Sequence, residues 1–285
     1  MRNKIRDLLF ISLICIFALS SQSAFAAEGE EALQLGCVAY AKEASANAYR
    51  QIGEYLEKEL GRQVTVTVYP NYHEVIHDIA NDKLDVAVLS PVVFLCADQA
   101  VDLSILGHGV YGASGDFAYR STIFVPAGSD LNSLDDLAGK KVAFVDQLSA
   151  SGFIVPKVAM MKAGLKDVAS EFAGNHVDAF RKLVSGEVEA AATLDTIMQD
   201  EPALAEHSED VKVLWTSEFV IPSDVFVTTP KVSASVNESI TTALLKYSEA
   251  QEGGRTSRNA IFSGFVPEDE NLYKGLKSLV AEFSN

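Results

Sequence analysis

Two short stretches of this chain carry residue types whose spacing suggests chemistry. The first is Ser149-Ala150-Ser151-Gly152, set between a β-like run, Lys141–Phe144, and an apolar helix-like segment that stops near Gly164. The first N–H groups of a helix have no internal partner, and the helix dipole adds about half a positive charge at that end. Ser149 and Ser151 add hydroxyl donors, and Gly152 is expected to leave room for an oxyanion at the backbone. Such an assembly binds phosphate-like groups without Lys or Arg. An ordinary serine N-cap gives the same letters. The second stretch is His73-Glu74-Val75-Ile76-His77, an H-E-x-x-H pattern. On a helix it sets two imidazoles on one face, with Glu74 as general base for a zinc-bound water.

The zinc reading lacks its usual company. Ala80 and Lys83 stand where the extended metalloprotease pattern needs other residues, and no Glu occurs from Val75 through Tyr119, so Asp98 or Asp102 would have to complete the site. Solvent-facing histidines are the plainer account of this motif. The chain contains no G-x-S-x-G and no G-x-x-x-x-G-K-[ST], so the common serine-hydrolase and P-loop templates fail. No catalytic residue, metal site or cofactor is expected.

The elements that must position these residues alternate along the chain. Leu33–Tyr40 reads as a strand, and Ala44–Leu60 as a helix with Ala48, Ile52, Tyr55, Leu56 and Leu60 on one face and Gly61 beyond its end. Val64–Val68 alternates as a strand, Tyr72–Asn81 is a helix, Leu84–Leu89 a strand, Pro91–Ala97 a helix and Val101–Leu106 a strand. The pattern then repeats. Strands are expected at Tyr119–Val125, Lys141–Phe144, Val188–Ala192, Val211–Trp215 and Val225–Thr228. Helices are expected at Leu134–Leu137, from Gly152, and at His176–Val184, Asp195–Leu204, Val236–Ala250 and Glu270–Phe283. This order predicts an α/β protein with mostly parallel sheets and helices on both faces. Two such units suggest two lobes and a cleft, with ligands bound beyond the carboxyl ends of strands.

Arg2, Lys4 and Arg6 precede an apolar run from Leu8 to Leu19 and an A-x-A pattern ending at Ala26, which reads as a signal peptide cleaved after Ala26. The formal net charge is −16. Removal of the leader takes away three cations and Asp7, leaving 20 Lys+Arg against 38 Asp+Glu, or −18. This argues against nucleic acid and anionic membrane surfaces, and leaves a small anionic ligand open. In an exported protein Cys37 and Cys96 can join, or both can be buried apolar residues.

Taken in order and spacing, the motifs resemble the periplasmic phosphonate/phosphite/phosphate-binding proteins of ABC importers. The residues that carry the likeness are Pro70-Asn71-Tyr72, Lys83-Leu84-Asp85-Val86-Ala87 with Ser90-Pro91, Tyr119-Arg120-Ser121, Ser133 through Val142, Ser149 through Gly152 with Pro156, Asn175-His176, and Ile221-Pro222-Ser223-Asp224. The resemblance implies a type II, two-lobed periplasmic binding fold with a hinged cleft. Residues 27–118 plus 222–285 would form one lobe and 119–221 the other, with hinge strands near Ala118–Ser121 and Val220–Asp224.

It also implies that an oxyanion is held by Ser149, Ala150, Ser151 and Gly152, by Tyr72 and Tyr119 on the opposite wall, and by His176, with Ser90 counted among the ligand-binding residues. Ala150 stands where the family has a threonine, so one hydroxyl donor is missing. Asp224 would accept a proton-bearing oxygen or pair with an amine. Asp195 is a further acid, one residue from the family position that Thr196 matches. The implied partners are a small phosphorus-containing anion and an ABC transporter permease, with the protein a monomer and its location periplasmic. A sulfonate or another small anion in the same cleft is the alternative.

Overall fold

The computed structural model describes residues 31–38, 42–111, 115–165, 168–247 and 262–283. The leader, the last residues of the expected Leu33–Tyr40 strand and the end of the expected Val236–Ala250 helix lie outside them.

Two sheets organise the chain. The first holds six strands in the order β13-β4-β12-β3-β1-β2, formed by β1 (Leu33–Val38), β2 (Val64–Tyr69), β3 (Val86–Leu89), β4 (Ser104–Tyr111), β12 (Val225–Thr228) and β13 (Phe262–Val266). The second holds five in the order β10-β6-β9-β7-β8, formed by β6 (Ser121–Pro126), β7 (Lys141–Phe144), β8 (Ala169–Phe172), β9 (Ala190–Leu194) and β10 (Val211–Thr216). Between them, β5 (Ala118–Tyr119) and β11 (Ile221–Pro222) pair antiparallel as a short ribbon where the chain passes from one sheet to the other and back.

The expected predominance of parallel pairing is corrected. β1 pairs parallel with β2 and β3, and β7 with β8 and β9. β12, β4 and β13 extend the first sheet antiparallel, as β6 and β10 do the second. Short βαβ crossovers force parallel neighbours, whereas a strand that re-enters a sheet from the ribbon is free to run the other way.

Helices cover both faces. α1 (Lys42–Leu60) buries Ala48, Ile52 and Leu56 and ends at Gly61, whose φ of 62° suits a residue without Cβ. With α7 (Ala234–Leu245) it packs on one side of the first sheet, around Val88, Phe226, Ile240 and Phe262. α2 (Tyr72–Ala80), α3 (Pro91–Asp98) and α8 (Lys274–Phe283) supply the other side, through Val75, Ile79, Phe94, Leu276 and Leu279. α5 (His176–Val184) packs on the second sheet through Ala179, Phe180 and Leu183. α4 (Val155–Lys162) sends Met160 to that sheet's opposite face and joins Val155 and Val158 to the cluster that holds Leu276 and Leu279. The expected Asp195–Leu204 helix is a single turn, α6 (Ile197–Asp200), and a 3-10 segment from Pro202, because proline cannot continue the turn before it.

Cys37 and Cys96 are both free, Cys37 buried and Cys96 exposed. Burial pushes the Cys37 thiol up to about 12, so it is an inert core residue.

Candidate anion site between the two sheets

Strand ends and helix starts of both sheets deliver polar side chains to one place. Asp224 stands at the entry to β12, and Ser90 at the exit of β3. The β12–β3 register pairs Val225 with Leu89, so Asp224 and Ser90 occupy the next position of that ladder. On the other side, Gly109 N–H donates to the Asp224 carbonyl at 3.0 Å and the Ser223 hydroxyl donates to the Gly109 carbonyl, which fixes the backbone around the acid. The Asp224 side chain is only 7 % exposed. Its carboxylate takes no hydrogen bond from the described residues, and burial raises it to about 7.

Several phenols feel the charge of that carboxylate. Tyr119 and Tyr72 are buried. Tyr49 of α1, Tyr111 of β4 and Tyr273 lie within the electrostatic reach of Asp224 too. Burial first, and the Asp224 charge second, raise the Tyr49, Tyr111, Tyr119 and Tyr273 hydroxyls, so all four stay protonated donors. Tyr49, Tyr111 and Tyr273 were not expected from the sequence. Tyr49 sits in register with the apolar face of α1, where an aromatic residue reads as core.

The serine motif faces this wall. Ser149 is the N-cap of a π-helical turn, Ala150–Ile154, that runs directly into α4. The helix therefore starts two residues before the expected Gly152. The Ser149 oxygen accepts from Gly152 N–H at 3.0 Å, the arrangement of an ordinary cap. The expected role of Gly152 is corrected. A Cβ there would lie 2.3 Å from Val145 Cγ2, so the missing side chain admits Val145, and the amide is already capped. The Ala150 and Ser151 amides donate to no backbone acceptor among the described residues. Ser151 is 1 % exposed, and its hydroxyl lacks a hydrogen-bond partner. It lies near enough to Tyr119 to ease that phenol's ionisation, but outside hydrogen-bond geometry. Ser121 pins the turn by donating to the Ser151 carbonyl at 2.8 Å.

Ser90 caps nothing. Its hydroxyl is buried without a partner at the start of α3. His176 opens α5 behind the Asn175 cap, and its Nδ1 meets the Thr193 hydroxyl at 2.8 Å. Burial lowers the imidazole to about 4, so it is neutral at physiological pH. Asp195 is tied to the backbone: its carboxylate accepts from Arg120 N–H at 2.8 Å, while its own N–H donates to the Arg120 carbonyl. It reaches the cleft only as a charge felt by Tyr119. Thr196 donates to Asp200 at 2.6 Å. The structure thus groups Asp224, Tyr72, Tyr119 and Ser151. Ser149 serves its own turn, and Asp195 the second sheet. Arg120, the cation nearest in sequence, donates to the Ser217 carbonyl.

The H-E-x-x-H residues lie elsewhere, on the outer face of α2. His73, Glu74 and His77 are exposed. Glu74 accepts from the Asn71 side chain, and the His77 ring engages Asp78 and Asn81. Among the described residues no group of three or more His, Cys, Asp or Glu side chains is placed to hold a metal ion. No helix there is long and apolar enough to cross a membrane.

Known proteins resemble this chain. A family model described as the periplasmic substrate-binding protein of phosphonate ABC transporters matches residues 36–273. The phosphate-import protein PhnD of Mycolicibacterium smegmatis is 26% identical over 211 residues, covering 68% of this chain and 65% of its own length. The phosphonates-binding periplasmic protein of Escherichia coli is 28% identical over 263 residues, covering 87% of this chain and 75% of its own. The crystal structure of a binding protein component of an ABC phosphonate transporter from Pseudomonas aeruginosa superposes with a TM-score of 0.73 at 19% identity, over 90% of this chain and 87% of that one. This last likeness is one of fold, the type II periplasmic binding fold.

Proposed function

Since this chain belongs to the family of periplasmic substrate-binding proteins of phosphonate ABC transporters, we propose that it captures a phosphorus oxyanion in the cleft described above and delivers it to a membrane permease. The observation that carries this reading is the convergence of buried, unpartnered polar groups. Asp224, Ser151 and Ser90 have no hydrogen-bond partner among the described residues, and they stand at strand ends of the first sheet and at the helix start that follows β7 of the second. Buried polar groups are ordinarily paired, so a set left unpaired at a strand-end cleft is a site awaiting a guest.

A phosphate, phosphite or phosphonate suits this donor set. Its oxygens accept from the Ala150 and Ser151 amides, the Ser151 hydroxyl, Tyr72 and Tyr119. The neutral His176 adds a donor at Nε2 when Thr193 donates to Nδ1. Neutral dipoles solvate the anion, so no Lys or Arg is needed. Asp224 repels a fully ionised oxyanion but accepts a hydrogen bond from one that keeps a proton, which sets phosphorus acids apart from sulfate and sulfonates.

The donors come from both sheets, so the ligand is gripped by two lobes, residues 27–118 with 222–285 and residues 119–221. The β5/β11 ribbon is the hinge between them. Binding favours the closed arrangement because the full donor set exists only there. A cleaved leader exports the protein, which works as a monomer outside the cytoplasm with no bond chemistry. Calorimetry with phosphate, phosphite, methylphosphonate, 2-aminoethylphosphonate and sulfate tests the reading. Binding of at least one phosphorus acid, with sulfate excluded, is expected. Indifference to all five overturns it.

A further inference from the structure

The turn that carries Ser151 is held open by residues outside the serine motif. Ile154 N–H donates to the Ser149 carbonyl at 3.0 Å, and Val155 N–H donates to the Ala150 carbonyl, each bond reaching back five residues as in a π-turn. The next bond of that ladder would run from residue 156 to the Ser151 carbonyl. Residue 156 is proline, which has no N–H to give. Its ring also crowds the carbonyl four residues back, that of Gly152. Pro156 therefore leaves two buried residues with carbonyls that the helix does not serve.

Both carbonyls take donors from the neighbouring sheet. Val145 N–H, just past the end of β7, donates to the Gly152 carbonyl at 3.1 Å. The Ser121 hydroxyl, at the head of β6, donates to the Ser151 carbonyl at 2.8 Å. Ser121 is fully buried and is itself held in place. Its N–H donates to the Ser217 hydroxyl oxygen at 3.1 Å, its carbonyl accepts from Ser217 N–H at 2.9 Å, and the Ser217 hydroxyl donates onward to the Phe219 carbonyl at 2.8 Å. The carbonyl of Ser151 is thus fixed to a rigid strand, while its amide and hydroxyl stay without protein acceptors.

We propose that Pro156 and Ser121 are positioning residues for the anion: the proline denies the Ser151 carbonyl its place in the helix, and the Ser121 hydroxyl takes that carbonyl and so aims the Ser151 amide and hydroxyl at the ligand. The proposal rests on the phosphorus-oxyanion reading of the cleft. Without the Ser121 hydroxyl the buried carbonyl has to find another donor. The nearest is Val155 N–H, which would leave the Ala150 carbonyl and tighten the turn to α geometry, swinging the Ala150 and Ser151 amides away from the anion.

Calorimetry on the full protein, with inorganic phosphate and methylphosphonate as probes and well below the melting temperature of every variant, tests this. Ser121→Ala is expected to weaken binding about tenfold, and Pro156→Ala at least threefold. The two losses should not multiply. Once residue 156 regains an N–H, the Ser151 carbonyl has a donor without Ser121, so Ser121→Ala should cost less than threefold in the Pro156→Ala background. Amide NMR of the ligand-free protein adds a readout that lost stability alone would not move: the Ala150 and Ser151 signals should shift in Ser121→Ala while those of β12 stay in place. Full affinity in Ser121→Ala, with no more than a lower melting temperature, overturns the proposal and leaves the oxyanion reading intact. Losses that multiply in full overturn the pairing of proline and serine. Should Ser121→Ala not fold, Pro156→Ala decides, and full affinity there overturns the proposal. Failure of the wild type to bind either probe removes the oxyanion reading and the proposal with it.

Discussion

The two walls of the cleft are built on opposite terms. The wall from the second sheet looks after itself. Ser149 caps Gly152, Asn175 caps Asp178, Thr193 meets His176, and Asp195 closes a reciprocal pair with Arg120. The wall from the first sheet does not. The Ser90 hydroxyl is buried without a partner, and the buried Asp224 carboxylate takes no hydrogen bond from a described residue. A self-satisfied wall keeps its geometry whether or not a guest is present. An unsatisfied wall costs stability until the guest arrives, and this is how a binding protein couples ligand capture to closure.

If the contrast is right, the largest effect comes from removing the free hydroxyl on the satisfied wall. Ser151→Ala should weaken binding of a phosphorus anion by a factor of about 10–100, since a hydrogen bond to a charged group contributes roughly 1.5–3 kcal/mol. Calorimetry reads the loss directly, and retention of full affinity would place the anion elsewhere.

The next effect is on the unsatisfied wall without ligand. The folded Asp224 carboxyl titrates near 7, against about 3.9 unfolded. The folded state therefore holds the proton more tightly. Stability is highest below the unfolded value, falls as pH rises from about 4 to 7, and levels off above. Asp224→Asn should accordingly raise the melting temperature of the ligand-free protein at pH 8 by several degrees, and by much less at pH 5. In the same variant, discrimination against sulfate should collapse.

Gly152→Ala should cost about 1–3 kcal/mol of stability, because its Cβ would run into Val145 in a packed turn. Thermal unfolding checks this, and a neutral result would return Gly152 to the role of opening space for the anion. The smallest effect belongs to His176→Ala, about tenfold in affinity for one lost neutral donor. The factor by which it differs from the wild type should stay constant between pH 5 and 8, since the imidazole it removes is already neutral across that range.

How much of this the sequence shows depends on which physical signal each residue leaves. The strand–helix alternation is written in local patterns. His176–Val184, Val225–Thr228 and Lys141–Phe144 stand where periodicity places them. β8 carries Ala-Ser-Glu-Phe with no alternation, and β13 is broken by Ser263 and Gly264, so neither announces a strand. β4 extends to Tyr111 beyond the expected Leu106, because Gly107, His108 and Gly109 mask it until neighbours pair with it. The expected Tyr119–Val125 strand divides at Arg120, where the chain leaves the ribbon for the second sheet. The site follows the same rule. Asp224, Tyr72 and Ser151 sit in recognisable local motifs. Tyr49 and Tyr111 reach Asp224 only through long-range packing, and a tyrosine on an apolar helix face or at a strand end carries no local mark of that.

The central claim is that Asp224 and the serine turn close on opposite sides of one tetrahedral group. A crystal structure of the protein grown with inorganic phosphate tests it most directly. The account predicts a tetrahedral density within hydrogen-bond distance of both the Asp224 carboxylate and the Ser151 hydroxyl. Those two groups found sealed against protein atoms, with the anion bound elsewhere, would contradict it.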